Sequence, residues 1–236
     1  ITDLLYKHKM WKKKNVKLTV DGQAASITAK LHNDEERKTP TMGGTVVWGS
    51  VLLTTIVFLV LSHMFPSDVT GKLNFLSRNQ TWLPLFVLLG GAIFGLIDDY
   101  LVCREQGTYK GGGLSLKTRL LFITVLGAVG AWWFYSKLET DFIHIPFWGD
   151  LHLGILFIPA FILFIIGIYS GGIIDGVDGL AGGVFAEIYA AYAIIAFANG
   201  QIDLAAYAAV VTGGLLAFLW FNIPPARFFL SETGTM

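Results

Sequence analysis

TVVWGSVLLTTIVFLVLSHMF, residues 45–65, runs its whole length without an Asp, Glu, Lys or Arg. A bilayer core of roughly 30 Å is crossed by about 20 apolar residues in a helix. In lipid a single segment satisfies its own backbone groups only as a helix. The stretch therefore predicts a transmembrane helix beginning at Thr45 and ending near Phe65. Five further stretches of the same kind lie outward from it: Trp82–Ile97, Leu120–Tyr135, Leu151–Ile174, Leu180–Ala198 and Leu204–Ile223. Trp82–Ile97 and Leu120–Tyr135 are short, and each is expected to extend by a turn. Hydrophobic residues make up 54% of the 236 and charged residues 14%, with a mean hydropathy of +0.60. Soluble domains carry about 25% charged residues. The expected fold is all-α, a polytopic transmembrane helix bundle forming one integral membrane domain over residues 1–236.

The charges add up to zero but are segregated. Nine Lys and Arg residues precede the first span, from Lys7 to Lys38. Arg104, Lys110, Lys117 and Arg119 lie between spans two and three, and Arg227 follows span six, giving 9 + 4 + 1 = 14 on one side. Lys72, Arg78 and Lys137 are the 3 on the other. The positive-inside rule makes the first side cytoplasmic. Trp82, Trp132, Trp133, Trp148 and Trp220 sit near span ends, where amphipathic rings favour the interface. The basic N-terminal stretch suits topology determination, with anionic-lipid contact as the alternative. Cys103 is the only cysteine, which excludes an intrachain disulfide and argues against a thiolate metal site. The chain opens without an initiator methionine and stops at Met236 within a motif, so it reads as a fragment at both ends.

Three acidic groups fall at the predicted cytoplasmic boundary, where ionisable residues call for a functional explanation. Asp98-Asp99 directly follows Gly95-Leu96-Ile97. Adjacent carboxylates repel and need a cation, and Mg²⁺ takes carboxylate oxygens while sharing substrate phosphates. Two solvated aspartates ending a helix would read the same way. Asp175-Gly176-Val177-Asp178-Gly179 places two carboxylates three apart. If a helix starts near Asp175 they share one face, and the glycines admit close backbone approach. A tight turn with an Asp cap is the plainer alternative. Glu232, in Phe228-Phe229-Leu230-Ser231-Glu232-Thr233-Gly234 with Asn222 upstream, is a further candidate ligand or a helix cap. Lys110, Lys117 and Arg119 offer cations, and Gly111-Gly112-Gly113 reads as a flexible linker. Glu187 and Asp203 read as structural. Acidic clusters and a basic loop on one face suit a divalent cation and a lipid phosphate, hence phosphoryl transfer. The expected site is one cytoplasmic cleft.

Taken in order, Thr39-Pro40-Thr41-Met42-Gly43-Gly44, Gly95-Leu96-Ile97-Asp98-Asp99-Tyr100, Asp175-Gly176-Val177-Asp178-Gly179-Leu180-Ala181 and Phe218-Leu219-Trp220-Phe221-Asn222 resemble the phospho-N-acetylmuramoyl-pentapeptide-transferase family. That family belongs to the polyprenyl-phosphate N-acetylhexosamine-1-phosphate transferases, within glycosyltransferase family 4. The resemblance covers nearly the whole chain. It implies a multi-pass bacterial cell-membrane enzyme whose active face is cytoplasmic. The implied reaction moves phospho-MurNAc-pentapeptide from UDP-MurNAc-pentapeptide to undecaprenyl phosphate with Mg²⁺, giving lipid I and UMP. By position, Asp98 and Asp99 would serve the metal and the lipid phosphate, and Glu232 would be a metal ligand. Asp175 and Asp178 would line the nucleotide site, with Gly176 and Val177 near the uracil and Asn222 and Phe229 on the uridine. Lys117 or Arg119 would supply the loop cation. The lipid bilayer is a partner, a homodimer stays open, and no nucleic-acid partner is expected.

Four positions depart from the family pattern. Glu232 stands where the family usually has Asp, Ser231 where it has Gly, and Gly172 where it has Asn. Val102 and Arg104 occupy the place of a lysine that often follows the Asp-Asp pair. Thr41 separates the muramoyl branch from sister enzymes using UDP-GlcNAc, which commonly carry Arg there. An ion-coupled transporter and an inactive binding scaffold are readings of other classes. Transporter sites generally lie near the bilayer midplane, whereas these carboxylates gather at a boundary.

Overall fold

The computed structural model describes residues 2–11, 39–77, 79–107, 112–145 and 147–236. The basic run from Lys12 to Lys38, together with Arg78, Lys110 and Gly111, lies outside the described residues. The helices are α1 (Thr2–Lys7), α2 (Gly44–Met64), α3 (Asp68–Leu73), α4 (Asn79–Cys103), α5 (Leu116–Lys137), α6 (Phe157–Ser170), α7 (Leu180–Ala198), α8 (Ile202–Asn222) and α9 (Glu232–Thr235). Two strands, β1 (Phe142–Ile145) and β2 (Gly149–His152), lie between α5 and α6. Among the described residues, five helices are long and apolar enough to cross a bilayer: α2, the Thr81–Cys103 part of α4, α5, α7 and α8. The protein is a largely helical, multi-pass membrane protein.

The apolar stretch 151–174 is not one continuous helix. Its first residues close the hairpin, a 3-10 turn spans Gly154–Leu156, and α6 provides only 14 residues before a second 3-10 turn at Gly171–Ile174. Gly154 adopts φ +54, a left-handed conformation that L side chains avoid, and so separates hairpin from helix. The α4 and α5 helices do run beyond their apolar cores, as expected from their length. At the α5 start, Ser115 accepts a hydrogen bond from the Thr118 amide at 3.3 Å, satisfying one of the free N–H groups there.

The chain divides into two compact units, residues 1–114 with 174–236, and residues 115–173. The core of the first is built from Val51, Phe75, Val211, Leu215, Phe218, Phe228 and Leu230, all buried. Helices α7 and α8, joined by the short turn 199–201, pack along one another. Small residues permit this, because Ala181, Ala186, Ala205 and Ala208 are buried in the seam and Gly182 lies against Phe218. In lipid, close van der Waals packing replaces water exclusion as the force between helices. In the second unit α5 packs on α6, with Gly127 against Ile162 and Ile165, and with the Phe134 and Phe161 rings 5.3 Å apart. The hairpin is antiparallel, pairing Phe142 with His152, Ile143 with Leu151, His144 with Asp150 and Ile145 with Gly149.

Candidate active site

The last two turns of α4 carry Asp98 and Asp99 into the protein, where their residues are 0% and 1% exposed. Burying a carboxylate costs heavily unless donors surround it. The loop after α4 supplies one of them. Gly112 and Gly113 take φ +85 and +87, which reverses the chain, and the Gly113 amide donates to the Gln106 carbonyl at 2.8 Å. The reversal presents the Leu114 amide to Asp98 Oδ1 at 2.5 Å. A Cβ on Gly113 would lie 2.8 Å from that same oxygen. The glycine run expected to be a linker is, at its described residues, a shaped cradle for Asp98.

Asp99 is held from much further along the chain. Its Oδ2 accepts from the Thr233 amide at 3.0 Å and from the Thr233 hydroxyl at 2.5 Å. Asp175 Oδ2 accepts from the Ser231 amide at 2.8 Å, and Asp178 Oδ2 from the Ala226 amide at 3.1 Å. Carboxylates from two separate motifs thus bind three amides of one segment, residues 226–233. Asn222 completes the stitching, its Oδ1 accepting from the Gly179 amide and its Nδ2 donating to the Phe228 carbonyl, each at 2.9 Å. Asp175 and Asp178 do not share a helical face, because residues 175–179 form turns and α7 begins only at Leu180. Gly179, at φ +79, stops the helix from extending backward.

The opposite side of segment 226–235 rests on the Pro-x-x-Gly-Gly turn. The Phe229 amide donates to the Pro40 carbonyl at 2.9 Å, and the Gly43 and Gly44 amides donate to the Phe229 and Leu230 carbonyls at 2.8 and 3.1 Å. Side chains at Gly44 and Gly95 would overlap the backbone of Gly234 and Glu232 respectively. Gly95 sits one turn before Asp98-Asp99, so this close approach brings the Glu232 backbone against α4 one turn from the acidic pair. Ser231, immediately before Glu232, has φ 56 and ψ −173. Glycine is the residue at ease in that region, and others cost about 1–3 kcal/mol.

The remaining expected residues fall in three settings. Gly176 is exposed, Val177 is 65% exposed and Phe229 is half-buried, so all three have accessible surface. Thr41 is buried, with its hydroxyl 3.3 Å from both Cys103 Sγ and the Met10 carbonyl. Lys117 is exposed on the first turn of α5, in the second unit. Sequence reasoning missed Thr233, Ser231 as a donor, and the Leu114 amide. The signal available was positional, because Thr233 follows the acidic residue of the last motif and Leu114 follows the glycine run.

Among the described residues no three His, Cys, Asp or Glu side chains form a complete metal-ligand set. Mg²⁺ keeps several waters and commonly takes only one or two carboxylates together with substrate phosphates. Asp98 and Glu232 are hard oxygen donors on elements whose backbones meet at Gly95.

A family model for glycosyl transferase family 4 matches residues 81–236. A Geobacillus sp. (strain WCH70) protein called phospho-N-acetylmuramoyl-pentapeptide-transferase is 30% identical over 220 residues, covering 91% of this chain and 62% of its own. Proteins of the same name from Ruegeria sp. (strain TM1040) and Bacillus subtilis (strain 168) are each 32% identical, covering 84% and 91% of this chain and 56% and 62% of theirs. The chain thus spans about three-fifths of the length of these relatives. The matched region contains Asp98-Asp99, the Asp-Gly-Val-Asp-Gly turn and the 222–235 segment that ties them together, and with it the chain belongs to glycosyl transferase family 4.

Proposed function

We propose that this chain carries the catalytic core of a phospho-N-acetylmuramoyl-pentapeptide-transferase. The observation that carries this reading is the convergence of Asp99, Asp175 and Asp178 on the segment bearing Glu232, at the ends of apolar helices. A lipid phosphate reaches such a place with its prenyl tail still in the bilayer. The cytoplasmic side follows from the 14-to-3 distribution of Lys and Arg.

In the proposed reaction an oxygen of undecaprenyl phosphate bonds to the sugar-bearing phosphorus of UDP-MurNAc-pentapeptide. The bond from that phosphorus to the bridging oxygen breaks, and UMP leaves with the bridging oxygen. Asp98 and Glu232 would hold Mg²⁺, which when bound neutralises charge developing on the phosphoryl oxygens. Asp98 and Asp99 would between them serve the metal and the lipid phosphate. Asp99 and Asp175 fix the backbone on either side of Glu232, and so set where that carboxylate stands. Gly176 and Val177 offer an exposed turn to the uracil, and Asn222 and Phe229 form the wall beneath the uridine. Asp178 braces that wall through Ala226. Buried Thr41 shapes the turn on which the 228–230 backbone lies, with no room at that position for an arginine unless Met10 and Cys103 move.

The test is UMP release and lipid-linked product formation by the full-length protein in detergent, with UDP-MurNAc-pentapeptide and undecaprenyl phosphate, with and without Mg²⁺. Metal-dependent product supports the proposal. Product only with UDP-GlcNAc moves the chain to the sister branch, and no product with either donor from folded protein sinks the transferase reading.

A further inference from the structure

The hairpin between α5 and α6 has two chemically distinct faces. Side chains alternate along a strand, and directly opposed residues share a face. Phe142, His144, Asp150 and His152 therefore project to one side, and Ile143, Ile145 and Leu151 to the other. The contacts agree with this assignment. His144 Nδ1 lies 2.7 Å from Asp150 Oδ1, the Phe142 and His152 rings are 5.5 Å apart, and His152 Nδ1 is 3.1 Å from Asp141 Oδ1. The polar face is thus internally paired and remains open to water, with both His side chains 68% exposed.

On the apolar side Ile143 and Ile145 are half-buried. Leu151 is 48% exposed, and at the turn Phe147 and Trp148 are 107% and 90% exposed. No Lys or Arg occurs between Lys137 and the end of α6. An isolated two-stranded hairpin is marginal in water and needs something against its apolar face. The hairpin is tied to the end of α5 by the Thr140 amide, which donates to the Phe134 carbonyl at 3.1 Å, and α5 is long and apolar enough to cross a bilayer. Trp132 and Tyr135 are exposed on the last turns of α5, and Ile155 and Leu156 are exposed just before α6. These side chains continue the uncovered apolar surface from span to hairpin. Depth follows from the backbone. An open two-stranded sheet has unpaired edge groups that the hydrocarbon core does not tolerate, whereas tryptophan favours the headgroup level.

We propose that the hairpin is an interfacial anchor, lying along the bilayer surface at the Lys137 end of α5. It rests Ile143, Ile145, Leu151, Phe147 and Trp148 at the headgroup–acyl boundary and turns its two His–Asp pairs to water. Its occupant is lipid, and the feature is independent of the transferase reading.

Spin labels on single cysteines introduced at Phe147, Trp148, Leu151, His144 and Asp150, in the full-length protein in phosphatidylethanolamine–phosphatidylglycerol vesicles, test it. Cys103 is buried and stays in place, with unsubstituted protein as the control for its labelling. Collisions with oxygen should exceed those with a water-soluble nickel chelate at 147, 148 and 151, and the order should reverse at 144 and 150. Nickel accessibility at 147 and 148 equal to that at 150 would place the turn in water and overturn the proposal. Shielding of 147 and 148 from both reagents would mean that a protein surface, such as a second copy, covers them, and would overturn it equally. The labelled sites are on the surface, so the substitutions leave the helical core untouched.

Discussion

Asp99 and Asp150 are the same side chain in opposite circumstances. Asp99 is 1% exposed and accepts from the amide and the hydroxyl of Thr233, 134 residues away. Asp150 keeps 48% of its side chain exposed and pairs with His144, six residues away. A buried carboxylate with remote partners organises tertiary structure, because water cannot replace a lost donor. An exposed one with a local partner contributes little, because water replaces the partner at once. The same contrast separates the whole acid-stitched segment 222–235 from the hairpin, and it can be broken or sharpened by substitution.

The largest effect is expected at the helix end. From their adjacency and burial, Asp98→Asn and Asp99→Asn should each lower UMP release by the full-length protein about 10²-fold or more. A near-normal rate in either variant would remove that residue from the site. Next comes Asn222→Ala, which strands the Gly179 amide and the Phe228 carbonyl together. Two orphaned buried groups correspond to about 2–4 kcal/mol, read as a lower thermal midpoint in detergent. An unchanged midpoint would show that water reaches both groups. Thr233→Val keeps the shape and removes one donor to Asp99, an expected loss of about 1.5–3 kcal/mol for a bond to a charged group. Thr233→Ser should restore most of it, and equal losses in the two variants would mean that the methyl matters more than the hydroxyl. Ser231→Gly runs the other way. Releasing a non-glycine residue from φ 56 and ψ −173 should stabilise the protein by about 1 kcal/mol, and destabilisation would show that the serine side chain does more than tolerate its conformation. Smallest is His144→Gln in the hairpin, expected within about 0.5 kcal/mol of the parent. A loss as large as that of Thr233→Val would erase the distinction between the two regions.

Much of the helical fold was legible because lipid imposes a single demand, a long apolar run, which Thr45–Phe65 and Leu204–Ile223 meet plainly. The stretch 151–174 meets it too, yet Gly154 divides it, and composition alone does not announce a left-handed residue. The hairpin escaped notice because Phe142-Ile143-His144-Ile145 is short and lies between stronger signals. Within the site, the acidic residues stood out by type and boundary position. Their partners did not, because the donors are mostly backbone amides of Leu114, Ala226, Ser231 and Thr233, which every residue but proline possesses. A backbone donor has no sequence signature, and only the fold decides which of them a carboxylate meets. For the same reason Gly112 and Gly113 read as slack, whereas their positive φ angles aim a single amide.

The separation of Asp99 from Thr233 has a consequence for the order in which the protein is made. At about 5–20 residues per second, roughly 7–27 s pass between synthesis of Asp99 and synthesis of Thr233, its partner 134 positions later. Throughout that interval α4 already ends in two carboxylates, and water is the donor at hand for Asp99. The nascent helix is thereby pinned by its hydrated end at the membrane surface while α5, α7 and α8 are still being produced. The last segment then displaces that water with its own amides. The acidic pair thus faces water first and the amides that hold it in the folded protein last.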